Sequence, residues 1–530
     1  MGDDEHPALE AFLETPAAYG LAGEEPVERI DTHISTVFLA GERAYKLKKP
    51  VDFGYLDFTT CEKRHEACLH ELELNRRTAP DLYLRILPVR RAEQGYALGE
   101  GEGAVVDWLL EMQRFDQDSL LAAKADAGTL SRETIEDLAA FLADFHQTAE
   151  VCRDSGGAAR FARVLESNEE NYAPFVGSVY DVTLIEKLNA RARAALGEVG
   201  LLLDARRDAG WVRHCHGDLH LANVTLWKDK PVPFDCIEFN DDFARIDILY
   251  DLAFLLMDLV FRAGGSPALS GFANAALNRY LQSLPQQELA TTLEGLRALP
   301  FFMSARAGVR SHVTARTWSG VTDAGRREDL AAQAVAYAEL AVDLLEPRRP
   351  MLVAVGGLSG TGKTTLAREL APLLPGPAGG VHLRTDVLRK KLAGVPETER
   401  LPASAYTKAA SQAVYDEMMS LATTALEAGQ AVICDAVFAR PGEREAVQQA
   451  AGDAGTAFKG LWLTAGADVM TARVEERGRH GRDASDATPE VVQTQLTYDL
   501  GEIGWERVDA RGTPLEVRQR AAALFDHTQP

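Results

Sequence analysis

Apolar and polar residues alternate from Thr32 through ThrHisIleSerThrValPheLeuAla, break at the turn GlyGluArg (41–43), and alternate again through AlaTyrLysLeuLysLys from Ala44. A period of two on both sides of a short glycine turn predicts a β-hairpin. The stretch from Thr60 to about Thr78, rich in Glu, Leu and Arg, predicts a helix. Strands are expected near 83–90 and 104–111, flanking the glycine-rich turn at 99–103. The first hundred residues thus predict a small β-rich lobe with one helix. From about 116 to 345 the pattern is mostly helical, with one strand-and-loop region at 211–240. GluProArgArgPro (346–350) separates that body from an abrupt apolar strand and marks a domain boundary. Beyond it, expected strands at 351–356, 431–434 and 459–464 alternate with helices, the pattern of an α/β domain with a parallel sheet. The expected organisation is an N-terminal extension (1–24), a β-rich lobe (25–115), a helical lobe of the same domain (116–345), a linker (346–350) and an α/β domain (351–530).

Composition narrows the class. A chain of 530 residues predicts two to four domains, and 46% hydrophobic with 25% charged residues excludes global disorder. The 56 Lys and Arg against 79 Asp and Glu give a net charge of −23, which argues against a whole-molecule grip on phosphate backbones. The six cysteines are scattered without CxxC spacing and read as reduced thiols, hence a cytoplasmic protein. The acidic start, MGDDEHPALEAFLE, lacks the features of a signal peptide. The greasiest run, Leu252 to Phe261, includes Asp258 and is too short for a membrane span.

Chemistry appears first after the boundary. Gly357-Leu-Ser-Gly-Thr-Gly362-Lys363-Thr364 satisfies GxxxxGK[ST], follows an apolar strand and opens a helix expected over Thr364 to Leu373. Backbone N–H groups of such a loop cradle phosphate oxygens, the lysine supplies a point charge, and the threonine hydroxyl suits Mg²⁺. Gly357, Ser359, Gly360, Thr361, Gly362, Lys363, Thr364 and Thr365 are therefore the expected ATP-binding residues. Asp435, ending AlaValIleCysAsp, is placed to orient hydrated Mg²⁺. Asp386, in LeuArgThrAspValLeuArg, is a candidate base for an attacking hydroxyl, with a helix-capping role as its ordinary alternative. Arg473, Arg477, Arg479 and Arg482 suggest a cationic lid over phosphates, unless the run is a solvated face. This third of the chain, about 350 to 520, resembles the P-loop kinases related to zeta toxins, chloramphenicol phosphotransferase, gluconate kinase and polynucleotide kinase, an AAA-type ATP-binding fold. The resemblance implies a base or hydroxyl ligand at Asp386 and lid arginines at Arg477 and Arg482.

A second phosphotransfer signature lies upstream. His216-Gly217-Asp218-Leu-His220-Leu-Ala-Asn223 is followed by ProPheAsp235-Cys-Ile-Glu238. Asp218 can take or orient the proton of a substrate hydroxyl, Asn223 can ligate Mg²⁺, and Asp235 or Glu238 on the next strand can chelate the metal between phosphates. A strand lysine held by a helix glutamate should complete the set. Lys46 and Glu71 are favoured, with Lys48 and Glu73 as competitors. The HxH spacing of His214 and His216, with His220, also permits a zinc reading, but no thiolate beyond Cys215 supports it.

Residues 25 to 345 resemble the aminoglycoside phosphotransferase and choline kinase branch of the protein-kinase-like fold. The resemblance implies Asp218 as base, Asn223 and Asp235 as metal ligands, Lys46 with Glu71 as the ion pair, and a buttressing Asp in TyrAspLeuAlaPhe (250–254). Two departures stand out. No GxGxxG precedes Lys46, leaving Ser35 and Thr36 as polar candidates for phosphate cover, and the Asp-to-Glu spacing of the metal strand is longer than in related kinases. The whole chain resembles bacterial fusions of the two domain types. The fold expected is an α+β kinase-like domain followed by an α/β P-loop domain. The function expected is a bifunctional kinase using ATP and Mg²⁺ to phosphorylate hydroxyls of small molecules. Its alternatives are one catalytic domain regulated by a nucleotide-binding partner domain, or a nucleic-acid-end or nucleotide-sugar kinase acting through the P-loop. Acceptor identity and oligomeric state are not set by any motif.

Overall fold

The computed structural model describes residues 5–21, 25–54, 56–480 and 483–525. Packing divides the chain into two compact units. The first takes in Met1–Leu138, Phe145–Gly156 and Arg207–Leu255, and the second Ala139–Asp144, Gly157–Arg206 and Leu256–Pro530.

The first unit is built on a six-stranded antiparallel sheet of β1 (Glu28–Asp31), β2 (Ser35–Ala40), β3 (Arg43–Lys48), β4 (Tyr83–Arg91), β5 (Tyr96–Leu98) and β6 (Val105–Gln113), in the order β1-β2-β3-β6-β4-β5. The hairpin expected at 32–49 is β2–β3, with Val37 opposite Lys46 and Ser35 opposite Lys48. Strand alternation then sorts the residues of β3. Tyr45 and Leu47 join Phe38, Val89 and Leu109 in an apolar core closed by Leu9 and Leu13. Those two leucines sit on a helix, Glu5–Leu13, inside the segment read as an extension. Lys46 and Lys48 face the other way, toward the helix Cys61–Arg76. That helix is capped by Thr60, whose side chain accepts the Lys63 N–H, and it ends on Arg76, a cation at the negative end of the helix dipole. Its buried residues include Arg64, Glu71 and Asn75, a polar inner face. Arg64 is satisfied there by Asp107 at 2.9 Å.

Two short ribbons complete the unit: β7 (Val212–His214) pairs with β10 (Arg245–Asp247), and β8 (Val224–Trp227) pairs with β9 (Lys230–Pro233). The loop from His216 to Asn223 joins them.

The second unit holds long helices, among them Gly157–Tyr172, Leu299–Gly320 and Ala324–Leu344, and a five-stranded parallel sheet. The sheet comprises β11 (Met351–Gly356), β12 (Val381–Arg384), β13 (Val432–Asp435), β14 (Ala457–Thr464) and β15 (Glu506–Asp509), ordered β12-β13-β11-β14-β15. Central β11 is apolar on both faces, as a parallel strand covered on both sides must be. Strands β12 and β15 lie at the edges and go beyond the three expected. The expected helix after the phosphate loop is Lys363–Leu370, and Pro372 tightens its continuation into a 3₁₀ turn, Ala371–Leu373. The edge strand β12 is covered by the helix Phe272–Ser283. Asn278 Oδ1 accepts the His382 N–H at 2.6 Å, and Asn274 Nδ2 donates to Ala378 O and Gly380 O. Edge groups that would otherwise face solvent unpaired are thereby satisfied within the unit.

Among the described residues no helix is long and apolar enough to cross a membrane. All six cysteines are unpaired.

Candidate functional site

In the first unit, four charged side chains meet between β3, the helix Cys61–Arg76 and the segment after β9. Glu71 is fully buried and divides its carboxylate, Oε1 meeting Lys46 Nζ at 2.7 Å and Oε2 meeting Lys48 Nζ at 2.7 Å. Lys46 also reaches Asp235 Oδ1 at 2.8 Å, and Lys48 reaches Glu238 Oε1 at 2.5 Å. The competition between Lys46 and Lys48 thus resolves into two parallel pairs sharing one glutamate, while Glu73 lies exposed. The pairs differ in access. The Asp235 side chain is 44% exposed and that of Glu238 4%. Burial opposes charge on Lys46, but Asp235, Glu71 and Glu238 outweigh it and hold the ammonium well above its ordinary value. Burial likewise opposes ionisation of Glu71, and the two lysines reverse it. For Glu238 burial prevails over the pull of Lys48 and raises the carboxyl.

Asp235 has φ +62°, a left-handed conformation uncommon for a residue with a Cβ. It is held there by its neighbours: Tyr83 OH accepts the Asp235 N–H at 3.1 Å, and Asn75 Oδ1 accepts the Cys236 N–H at 2.9 Å. Strained backbone fixed by surrounding hydrogen bonds is common where a side chain must point at a ligand.

The loop His216–Asn223 is fixed from beneath. Asp251 accepts the N–H of His216 at 3.1 Å and of Gly217 at 2.9 Å, and His146 Nε2 lies 3.1 Å away. His216 Nδ1 accepts the Asp218 N–H and its Nε2 meets Phe234 O, so that ring braces the loop. Gly217 has φ +87°, and a Cβ there would meet Phe243 O at 3.1 Å. Asn223 Nδ2 donates to Asp218 Oδ2 at 2.9 Å and to Asp218 O, and His220 Nε2 is 3.4 Å from the same carboxylate. Asp218 keeps 38% of its side chain exposed while Asn223 and His220 orient its carboxylate. The zinc set His214, His216 and His220 is not assembled, because His216 spends its ring nitrogens on the Asp218 N–H and Phe234 O, and His220 on the Ala222 N–H and the Asp218 carboxylate. Of the two candidates for phosphate cover, Thr36 is buried and bonded to Glu10 and Asp31, while Ser35 Oγ is buried without a partner. Thr36 is thereby unavailable to a phosphate.

In the second unit the loop Gly357–Thr364 turns between β11 and the helix Lys363–Leu370. Gly357, Gly360 and Gly362 all have positive φ, and a Cβ at Gly360 would lie 2.4 Å from Met470 O. Lys363 Nζ bends back to Leu358 O at 3.1 Å, and Thr361 Oγ1 donates to the same carbonyl at 2.8 Å. Thr364 Oγ1 donates to Asp435 Oδ2 at 2.6 Å, so the hydroxyl and the strand-end carboxylate form a pair. Burial opposes ionisation of Asp435, but His382, Arg384 and Lys363 around it hold the carboxyl at about 2. Burial also lowers Lys363. Thr365 is exposed on the outer face of the helix.

Asp386 sits in the first turn of the helix Thr385–Leu392, partly exposed, and accepts no hydrogen bond from the described residues. Its charge favours the protonated forms of Lys363 and Arg384. The arginine run divides by role. Arg473 donates to Thr361 O and Ala510 O and props the loop, Arg477 has a buried Nη2 with no partner, and Arg479 is exposed. Arg482 lies outside the described residues. One contributor carries no motif in the sequence: Gln495 Oε1 accepts the Ser359 N–H at 2.7 Å. Arg384, one of the arginines beside Asp386 in the sequence, stands 3.6 Å from Asp435 instead.

Comparison with known proteins matches the same two regions. Residues 55–290 match the model of the phosphotransferase enzyme family, and 352–498 match that of an AAA domain. Uncharacterized proteins of Mycobacterium bovis and Mycobacterium tuberculosis are 31% identical to the chain over 509 residues, covering 93% of it and 94% of each relative. Among solved structures, an ethanolamine kinase of Plasmodium vivax aligns with 63% of this chain and 94% of its own at 11% identity and a TM-score of 0.36. The APS kinase of Mycobacterium tuberculosis aligns with 34% of this chain and 99% of its own at 20% identity and a TM-score of 0.25.

Proposed function

We propose, from the premise that this chain belongs to the same family as the mycobacterial relatives and carries a phosphotransferase-family region and an AAA-domain region, that it has two separate nucleotide sites, each moving the γ-phosphoryl of ATP to a hydroxyl of a small molecule. The observation that carries the reading is that each unit presents a cation and a carboxylate set of the phosphotransfer kind: Lys46 held by Glu71 with Asp218 bonded to Asn223 in the first, and the glycine loop of Lys363 with Thr364 bonded to Asp435 in the second.

At the first site Lys46, steadied by Glu71, neutralises phosphate charge. Asp218, oriented by Asn223 and His220, receives the proton of the acceptor hydroxyl as its oxygen bonds to the γ-phosphorus and ADP leaves. At the second site the backbone of Gly357 to Thr364 cradles the phosphates with Lys363, Arg477 and Arg482 add positive charge, and Asp386 takes the acceptor proton. Mg²⁺ fits both donor sets, which consist of hard oxygens: the Asn223 amide oxygen with the Asp235 carboxylate, and the Thr364 hydroxyl with the Asp435 carboxylate. Bound there, the ion offsets the negative charge of the phosphates. Asp235, at the open end of the Lys46 pair, is the metal carboxylate of the first site. Glu238 is a buried partner of Lys48.

The test is ATP consumption and product analysis by mass spectrometry against a pool of sugars, amino alcohols, nucleosides and aminoglycosides. Two products are expected, one lost in Asp218→Asn and the other in Lys363→Ala. One product lost in only one variant assigns the other domain a regulatory role. Turnover untouched by both substitutions overturns the reading.

A further inference from the structure

We propose that His70, His214 and Asp241 form a site for a transition-metal dication of the zinc class, tying the helix Cys61–Arg76 to the strand that enters the phosphotransfer loop. One ligand atom from each of the three residues lies within 4.8 Å of the others, and His70 Nε2 stands 3.5 Å from Asp241 Oδ1. Two donors on one tetrahedral zinc, each at roughly 2.1 Å, are about 3.4 Å apart, so this pair already has the required separation.

Three features point to a ligand rather than to an ordinary polar cluster. His214 is 6% exposed, and its Nε2 is buried without a hydrogen-bond partner, as is Asp241 Oδ1. An imidazole nitrogen sealed from water with nothing to bind is costly to leave so. His70 Nδ1 lies 2.9 Å from Glu238 O, a contact that a ring nitrogen can make only by donating its proton to the carbonyl. That proton fixes the tautomer and leaves a lone pair on Nε2, the atom facing Asp241. A backbone carbonyl bonded to the far nitrogen is the usual outer support of a metal-ligating histidine. Asp241 is supported in the same way, its Oδ2 held by Arg245 Nη2 at 2.7 Å while Oδ1 stays free. The neighbouring cation Arg77 is occupied by the carbonyls of His214 and Cys215.

The donor set selects the metal. Two imidazole nitrogens and one carboxylate oxygen favour zinc, cobalt or nickel over magnesium or calcium, and three protein ligands leave a fourth position for water. The side chains of His70 and Asp241 are 34% and 35% exposed, so the ion has a way in, with His214 as the floor. The other His/Cys/Asp cluster, His146, Cys215 and Asp251, is sealed, and Asp251 already serves two loop amides.

The placement gives the ion a consequence. His70 directly precedes Glu71, and His214 lies two residues before His216 on β7. Occupancy fixes the helix that presents Glu71 to both lysines. Binding at the three residues does not depend on the kinase reading of the loop; only the effect carried to Glu71 does.

The experiment uses the full chain without an affinity tag, stripped by chelator and titrated with Zn²⁺ in excess Mg²⁺, with Co²⁺ as a visible-absorption probe. The wild type is expected to bind one more ion than His70→Ala or Asp241→Asn, to show tetrahedral cobalt bands that both variants lose, and to gain thermal stability with Zn²⁺ where they do not. Both variants alter half-exposed side chains, so folding is expected to persist and is checked by circular dichroism. Equal stoichiometry and equal spectra in wild type and variants, or no zinc uptake at all, overturns the proposal.

Discussion

Gln495 reaches back to the phosphate-binding loop and accepts the Ser359 N–H with its Oε1 at 2.7 Å. Its helix, Pro489–Gln495, packs through Val492 against Met470 and Val474 of the preceding helix, so the acceptor is held in place by an apolar contact. A fixed acceptor keeps the first turn of the loop in one conformation before nucleotide arrives. Gln495→Ala is expected to weaken ATP binding at this site by roughly three- to tenfold, from the ~0.5–1.5 kcal/mol of a typical hydrogen bond. Calorimetric titration in a Lys46→Met background, which removes the phosphate-binding cation of the first site, isolates the P-loop site. Tighter binding in the variant means instead that Gln495 competes with phosphate for the amide.

Lys46 and Lys48 are two residues apart on one strand face and share Glu71, yet they should fail differently. Lys48 and Glu238 form a sealed pair, and removing one partner leaves a carboxylate buried without its counter-charge. Lys48→Met is expected to lower unfolding free energy by about 3–5 kcal/mol, with much of the loss recovered in the Lys48→Met/Glu238→Gln double variant. Lys46→Met, beside the open Asp235, is expected to lose turnover at the first site with a smaller loss of stability. Urea unfolding alongside product formation separates the two; a stable Lys48→Met protein without turnover reverses the roles.

Both candidate loops, His216–Asn223 and Gly357–Thr364, were legible in the sequence because their residues are contiguous, and a short loop brings together what it spells in order. Residues joined by tertiary packing were not. Gln495 is 136 positions from Ser359, and His70, His214 and Asp241 come from a long helix, a strand and the short helix Asp241–Ala244. The helix Cys61–Arg76 could be placed, but its buried face could not be ranked, because that face carries Arg64, Glu71 and Asn75 where a structural helix would carry apolar residues. Edge strands β12 and β15 escaped notice for a related reason. Four residues each, reading ValHisLeuArg and GluArgValAsp, they draw their identity from pairing with a neighbour rather than from alternation. Thr36 looked like phosphate cover by its position, and only the packing of Glu10 against it shows that its hydroxyl is taken.

His312 on the helix Leu299–Gly320 predicts an acid-sensitive step outside either site. Its Nε2 meets Asn168 Oδ1 at 3.1 Å, and burial, aided by the charge of Arg316, lowers its pKa from 6.5 to about 4. A histidine held neutral in the fold contributes stability that is fully present above the unfolded value, near 6.5. That contribution is lost as pH falls toward about 4, where the folded form also takes up its proton. His312→Gln keeps an amide donor for Asn168 without a titrating ring. The wild-type thermal midpoint is therefore expected to fall more steeply between pH 6.5 and 4 than that of the variant, and parallel curves would assign the acid sensitivity elsewhere.

Gly360 allows the sharpest separation of loop geometry from loop chemistry. Its φ is +82°, and an added Cβ would lie 2.4 Å from Met470 O, a backbone atom that cannot swing aside as a side-chain end would. Gly394 has φ +68° and open space around the same added atom, so it carries the conformational cost without the collision. Gly394→Ala is expected to cost about 1–2 kcal/mol of stability, the ordinary penalty for a left-handed residue with a Cβ, and to leave nucleotide affinity unchanged. Gly360→Ala must move either the loop or the helix Ala467–His480 that carries Met470. It is expected to abolish measurable ATP binding at the P-loop site although Lys363, Thr364 and Asp435 are all intact. Calorimetry of both variants in the Lys46→Met background reads this directly. Normal affinity in Gly360→Ala would show that the close approach of Met470 relaxes freely and that the loop's shape is not what holds the phosphates.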